Sequence, residues 1–309
     1  SAVMRPGATI IPMAGDKISL PRLDESSHAS NLFGGVIAYW EGEADTLTSS
    51  EPKFGKVSLT ARKLAGYTIA GNELLADSAI ALERLLLTLF SSAIAYYEDD
   101  AFINGTGVGQ PLGFINAACL ISVAKETNQA ATTIVTENIV KMYSRLFPSS
   151  LGKAVWFAHP DTRPQLFTMT LNVGTGGIPV FLPTQGLASA PFDTLMGRPV
   201  LWTEKCQTVG TQGDVYLVDR GYYLIGDRQD LRVDSSIHVK FTTDQTVWRF
   251  VKRVDGQPWL KAALTPKNGN TSLSAFVPKI RSCRPEAGRS IALPSQCSDT
   301  FPELVSREC

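Results

Sequence analysis

An α+β fold is predicted for this chain by three features of its sequence. Apolar residues alternate at period two through Val57, Leu59, Ala61, Tyr67 and Ile69, the pattern of a strand with one covered face. A helical period follows, with Leu82, Leu85, Leu86, Leu89, Ala93 and Tyr96 recurring three and four residues apart. Past residue 150, short apolar runs of strand length alternate with helix-like segments.

Taken in order, residues 1–32 mix Pro, Gly, Ser and charge around one alternation at Ile18 and Leu20, and read as an extended arm. In 34–70, the run Val36-Ile37-Ala38-Tyr39-Trp40 and the alternating residues from Val57 onward flank a polar stretch from Glu41 to Lys53. Two long strands joined by a polar tip, a hairpin, are expected there. The helix should start at Asp77 or Ser78 as N-cap and run to the acidic Glu98-Asp99-Asp100. Residues 104–113 carry four glycines and a proline, so a fixed loop follows it.

Thr136 is expected to cap a helix reaching Phe147, Val155-Trp156-Phe157-Ala158 to form a strand, and Asp161 to cap a helix carrying Leu166 and Phe167. Residues 170–199 read as a Gly/Pro-rich loop, and 199–202, 215–218, 222–225 and 231–233 as strands. Alternation from Val247 leads into Arg253-Val254-Asp255-Gly256, whose Asp-Gly is a turn signal. From Pro266 the apolar periodicity stops, so the tail reads as a mobile or surface-laid extension.

Composition narrows the function. The 309 residues balance 29 Lys+Arg against 29 Asp+Glu, which argues against a dedicated DNA-binding protein, since such domains carry a basic excess. The longest uncharged apolar stretch, 85–97, is far short of the roughly 20 residues that cross a bilayer. The start lacks the pattern of a secretory signal, and Ser1 stands where Met is usual, as trimming or proteolytic maturation would leave it. Cysteines at 119, 206, 283, 297 and 309 form no C-x-x-C and read as reduced thiols.

Catalytic patterns are weak. Three histidines, His28, His159 and His238, stand far apart without metal-ligand spacing, so no metal, cofactor or catalytic residue is expected. His159 reads as a loop residue, and the rival idea of a soluble hydrolase rests on it and scattered acids alone. Gly105, Gly107 and Gly109 follow a helix instead of opening one, which fits a structural loop better than a phosphate cradle. Glu41, Glu43 and Asp45 read as solvated charge on a hairpin tip. An isolated two-stranded ribbon is marginal in water and needs a neighbour, most economically another copy of the chain.

Several segments resemble the major capsid proteins of tailed bacteriophages. They are Phe54-Gly55-Lys56-Val57-Ser58-Leu59-Thr60-Ala61-Arg62-Lys63-Leu64-Ala65-Gly66-Tyr67-Thr68, Asn72-Glu73-Leu74-Leu75-Ala76-Asp77-Ser78, Glu98-Asp99-Asp100-Ala101-Phe102-Ile103-Asn104-Gly105, Gly109-Gln110-Pro111-Leu112-Gly113, Met196-Gly197-Arg198-Pro199-Val200, Gly213-Asp214-Val215-Tyr216-Leu217-Val218 and Arg253-Val254-Asp255-Gly256. They follow the family's order over residues 34–264.

The resemblance implies the HK97-like capsid fold, with an N-terminal arm (1–33), an extended E-loop hairpin (34–70) and a peripheral domain with spine helix and glycine-rich loop (71–114). An axial domain (115–240), peripheral return strands (241–265) and a C-terminal extension (266–309) complete it. It further implies pentamers and hexamers forming an icosahedral shell, assembled in the bacterial host cytoplasm, around double-stranded DNA held by weak non-specific contact. Portal, scaffold or protease and a decoration protein are the implied partners, and Ser1 would mark removal of a scaffolding segment. The same fold also allows an encapsulin-like compartment holding an enzyme.

Candidate contacts between copies are Glu41, Glu43, Asp45, Lys53, Arg62, Lys63, Gly105, Gly107, Gly109 and Arg253, with Cys283, Cys297 and Cys309 as candidate tail thiols. Some members cross-link Lys to Asn. Here Thr46-Leu47-Thr48 at the tip has no Lys, and Asp244 and Val251 stand where the partners are expected.

Overall fold

The computed structural model describes residues 2–279 except 29–31, 44–45, 47, 78–81, 128, 131, 174–175, 180–193 and 270. In the arm and its sequel lie β1 (Thr9–Pro12), β2 (Lys17–Leu23), β3 (Phe54–Thr60) and β4 (Arg62–Gly71), then helices α1 (Asn72–Asp77) and α2 (Leu82–Asn104). Next come α3 (Thr136–Ser144), β5 (Val155–Ala158), α4 (Arg163–Thr168) and the ribbon β6 (Thr170–Val173) and β7 (Gly176–Pro179). The chain continues with β8 (Thr194–Leu195), β9 (Arg198–Trp202), β10 (Val215–Val218), β11 (Tyr223–Lys240), β12 (Gln245–Pro258) and β13 (Phe276–Pro278). One sheet has the order β1-β11-β12-β4, another β13-β10-β5-β9-β8, and β2-β3 and β6-β7 are separate ribbons.

The first sheet and α2 fit by alternation meeting helical period. Residues 63, 65, 67 and 69 of β4 are exposed while their neighbours turn inward. Phe90, Ile94, Glu98, Asp99, Phe102 and Ile103 form the buried face of α2. Phe90 stacks on Phe250 of β12 at 4.5 Å. Gly66 of β4 gives that ring its room, since a Cβ there would overlap it.

The second sheet separates two apolar cores. All four residues of β5 are buried, and successive side chains point to opposite faces. Val155 and Phe157 join Phe102, Phe114, Tyr216 and Phe276, while Trp156 and Ala158 join Met142, Leu166 and Leu217. Strands this short, covered on both faces, read as plain apolar runs.

Several expectations are corrected. The partner of β3 is the arm strand β2, from Lys17↔Thr60 to Leu23↔Phe54, and residues 36–40 form no strand. Ile18 and Leu20 supply the apolar face that packs with Val57 and Leu59, so the arm already holds the better match. Helix α2 continues past its acidic cluster to Asn104, because Phe102 and Ile103 beyond it are fully buried. Of its two expected caps, Asp77 is instead the last residue of α1, and Ser78 lies outside the described residues.

Val135, not Thr136, stands at the N-cap of α3, where Asn138 Oδ1 accepts from the Val135 N–H at 3.3 Å. His159, not Asp161, caps the turn before α4, its Nδ1 accepting from Asp161 N–H at 3.2 Å. The strand runs expected at 222–225 and 231–233 fall, apart from Tyr222, in one strand, β11, which pairs with β12.

Asp255-Gly256 makes no turn; it pairs with Gly226 and Ile225 inside the sheet. Asp255 is buried and accepts the Thr60 N–H at 2.6 Å, and Gly256 leaves room for Tyr223 and Phe102. The left-handed residue of that hairpin is Asp244, φ +47°. Residues 170–173 pair with 176–179 as the β6–β7 ribbon instead of loop.

The largest correction concerns the tail. Residues 274–279 are all buried, and β13 forms the edge of the five-stranded sheet against β10. Phe276 enters one core and Val277 the other. Lys279, only 5% exposed at its side chain, meets the buried Asp214 carboxylate at 3.1 Å. A three-residue strand buried on both faces leaves no periodicity to detect, and its Pro and Ser neighbours disguise it.

Candidate assembly surface

Because β2 and β3 pair in register, the chain between them, 24–53, leaves and re-enters at one end of the ribbon. Lys53 closes the base, its N–H donating to Gly34 O at 2.8 Å and its carbonyl accepting from Asp24 N–H at 3.1 Å. Farther out, residues 36–40 belong to no helix or strand and are exposed. Val36, Ile37, Tyr39 and Trp40 are 47, 40, 52 and 105% exposed, a density of bare apolar side chains that water penalises. Ile37 N–H and C=O bond to Ser50 Oγ, and Glu41 accepts the Thr48 N–H at 2.9 Å. Glu43 is exposed beside them, and Asp45 lies outside the described residues.

A second exposed surface is the outer face of the first sheet. Register sets Lys63 beside Arg253, Ala65 beside Val251, Tyr67 beside Arg249 and Ile69 beside Val247. Tyr67 and Ile69 are 73 and 41% exposed. Arg232 and Arg249 both reach Asp234 at 2.9 Å, and the Arg249 and Arg232 guanidiniums hold its carboxyl below the usual range. Arg228 and Arg253 share Asp16 at 2.7 and 3.1 Å. Counting formal charges, Lys63 and these four arginines outnumber the two aspartates, so the face is basic as well as apolar. Arg62 turns partly inward, where it acts on the buried Asp255.

The glycine-rich loop is held by backbone. Gly105 N–H reaches Ala101 O, Gly113 N–H reaches Gly105 O, and a Cβ on Gly105 would overlap Pro111 O. Gly107 and Gly109 have φ of +80° and +73°, which only glycine adopts without strain. Val108 between them is 84% exposed. Leu112 N–H donates to Gly256 O of β12 at 2.8 Å and the Tyr223 hydroxyl of β11 donates to Leu112 O at 2.9 Å, so the loop is fixed to the first sheet.

One cluster that the sequence reading missed fastens the arm and the first sheet to α2. Asp99, 2% exposed, accepts the Val3 and Met4 N–H groups at 3.0 and 2.8 Å and the Lys205 ammonium at 2.8 Å. Glu98 receives Arg5 and, at 2.6 Å, Lys252 of β12. Arg5 also meets Asp227 of β11 at 2.7 Å, and the Asp227 hydrogen bond, against burial and with Glu98, raises the guanidinium pKa. Burial pushes the Asp227 carboxyl up, but Arg5 outweighs it and the net shift is downward. The signal was present: Glu98 stands four residues after Ile94 and eight after Phe90, on the core-facing side of the helix, where a charge needs partners.

A model of the phage capsid family matches residues 1–268. The chain belongs to the phage capsid family. Its curated relative, the major capsid protein of Klebsiella oxytoca phage phiKO2, is 27% identical over 245 residues, covering 76% of this chain. The chain spans about half the length of that relative, 53%. Among solved structures, the capsid of a native GTA particle shares 20% identity at TM-score 0.73, covering 91% of this chain and 90% of that one. The capsid chain of Microbacterium phage Oxtober96 shares 18% at TM-score 0.64, covering 90% of each. The fold of this chain is therefore HK97-like and α+β.

Its two described cysteines are buried thiols. Burial pushes the Cys119 thiol up to about 12 and raises Cys206 as well, so neither supplies thiolate at neutral pH. Iodoacetamide is expected to leave both unlabelled in the folded chain and to label both in urea, read by peptide mass spectrometry. Cys283, Cys297 and Cys309 lie outside the described residues.

Proposed function

We propose that this capsid protein assembles into pentamers and hexamers of an icosahedral shell that encloses phage double-stranded DNA. The observation that carries the reading is the segment 36–40, whose apolar side chains are exposed in the single chain next to acidic Glu41 and Glu43. In the implied scheme it is the E-loop, α2 is the spine helix, and the basic sheet face with Lys63 and Arg253 receives the loop of a neighbouring copy. Many weak contacts repeated by symmetry then add. Lys53, Arg62 and the loop of Gly105, Gly107 and Gly109 contribute further contacts between copies. Portal, scaffold or protease, and a decoration protein act with it in the host cytoplasm. DNA is held by weak, non-specific contact, consistent with zero formal charge. An enzyme-holding compartment is disfavoured, because the family and the curated relative are virion proteins.

Negative-stain microscopy of the purified protein tests the reading: closed shells are expected, and a monomer at high concentration refutes it. Reversing charge with Glu41→Lys and Glu43→Lys should weaken assembly while leaving circular dichroism unchanged. Purified shells boiled in reductant should run as monomer. The segment 36–52 contains no lysine from which to form an isopeptide bond, and a ladder of covalent oligomers would contradict this.

A further inference from the structure

Two Asn-Gly pairs occur in the chain, Asn104-Gly105 and Asn268-Gly269. Asparagine is chemically labile, and most so before glycine, where no Cβ shields the following backbone nitrogen from the side-chain amide. For the two to react, that nitrogen must be free and the backbone around it must bend. The structure gives the two pairs opposite surroundings.

At Asn104 the fold blocks both requirements. Gly105 is buried, its N–H donates to Ala101 O at 2.9 Å, and its carbonyl accepts from Gly113 N–H at 2.9 Å. The Asn104 amide donates to Asp100 Oδ1 at 2.8 Å and to Lys205 O at 2.9 Å, which fixes the side chain as well. The second pair is held far less. Lys267, Asn268 and Gly269 are exposed, Gly269 has φ of +91°, and a Cβ there would meet nothing within 4 Å. Among the described residues no backbone hydrogen bond takes up the Gly269 N–H.

We infer that Asn268 is a site of spontaneous deamidation, a modification that the fold denies to Asn104. The Gly269 nitrogen attacks Asn268 Cγ and gives up its proton, the Cγ–Nδ2 bond breaks, and ammonia leaves with that proton as a succinimide ring closes. Water then opens the ring at either carbonyl, leaving aspartate or isoaspartate; nothing is oxidised or reduced. Either product puts a negative charge next to Lys267. The site lies between Leu264 and Leu273, whose backbones exchange hydrogen bonds at 2.8 and 2.7 Å, so the change is contained in the loop that precedes β13.

The test incubates the purified full chain at mildly alkaline pH, folded and in urea, and follows both pairs by peptide mass spectrometry, with isoaspartate counted by enzymatic methylation. In the folded chain, conversion at 268 is expected to be at least about tenfold faster than at 104, where reaction waits for local opening. In urea the two rates should converge. Equal rates in the folded chain, or no conversion at 268 there, overturn the inference. So does a 104 site that stays as slow in urea, because neighbouring residues and not the fold would then set the difference. Asn268→Gln is expected to remove the isoaspartate signal of the folded chain, and a signal that persists places the reaction elsewhere and overturns the assignment.

Discussion

A chain cut after Ser272 is expected not to fold, although the family match ends at residue 268. The cut removes β13 and with it Ala275, Phe276 and Val277, each fully buried and shared between the two cores that flank the second sheet. Phe276 stacks on Phe114 with centroids 5.5 Å apart and 11° between planes. The milder substitution Phe276→Ala leaves a cavity where that ring sat and should cost about 3–5 kcal/mol, read as a fall in urea midpoint at unchanged slope. A loss below about 1 kcal/mol would show that the strap is peripheral, because it would equal an ordinary surface change.

Asp99→Asn is expected to cost a similar amount for a different reason. The amide keeps an oxygen for the Val3 and Met4 N–H groups but removes the charge facing Lys205, whose side chain is 3% exposed. Breaking a buried pair by removing one partner costs about 3–5 kcal/mol, since the ammonium that remains has no compensating charge. The double variant Asp99→Asn/Lys205→Met removes both charges and should recover much of the loss in the same urea experiment. If Asp99→Asn/Lys205→Met is as unstable as Asp99→Asn alone, the cost lies in the lost hydrogen bonds and not in the orphaned charge.

Both predictions rest on features that periodicity does not display. The sequence makes β4 and α2 legible because each has one wet and one dry face over many residues, and the period survives. Strand β5 is legible as an apolar run. The arm strand β2 was visible at Ile18 and Leu20, but which strand it joins depends on a pairing about 40 residues away, and residues 36–40 offered a nearer apolar candidate. Asp255-Gly256 misleads because an Asp-Gly signal describes local preference, whereas here burial of the carboxylate and crowding by Tyr223 and Phe102 decide. Of the candidate contact residues, Glu43, Lys53 and Lys63 are exposed. The ionic cluster at Glu98 and Asp99 was legible only in outline, since its partners come from residue 5, residue 205 and residue 252.

The joining of Arg5 to Asp227 spans 222 positions. A ribosome adding about 5–20 residues per second needs roughly 10–45 s to cover that interval. Throughout it β1 lacks the β11 edge with which it pairs, and Arg5 has only Glu98, 93 positions on, to bond. Polysomes carry many such chains side by side, so the order of synthesis itself creates an opportunity for one molecule's β1 to settle on another's finished β11. A protein destined to be crowded with its own kind thus meets that crowd before it is complete.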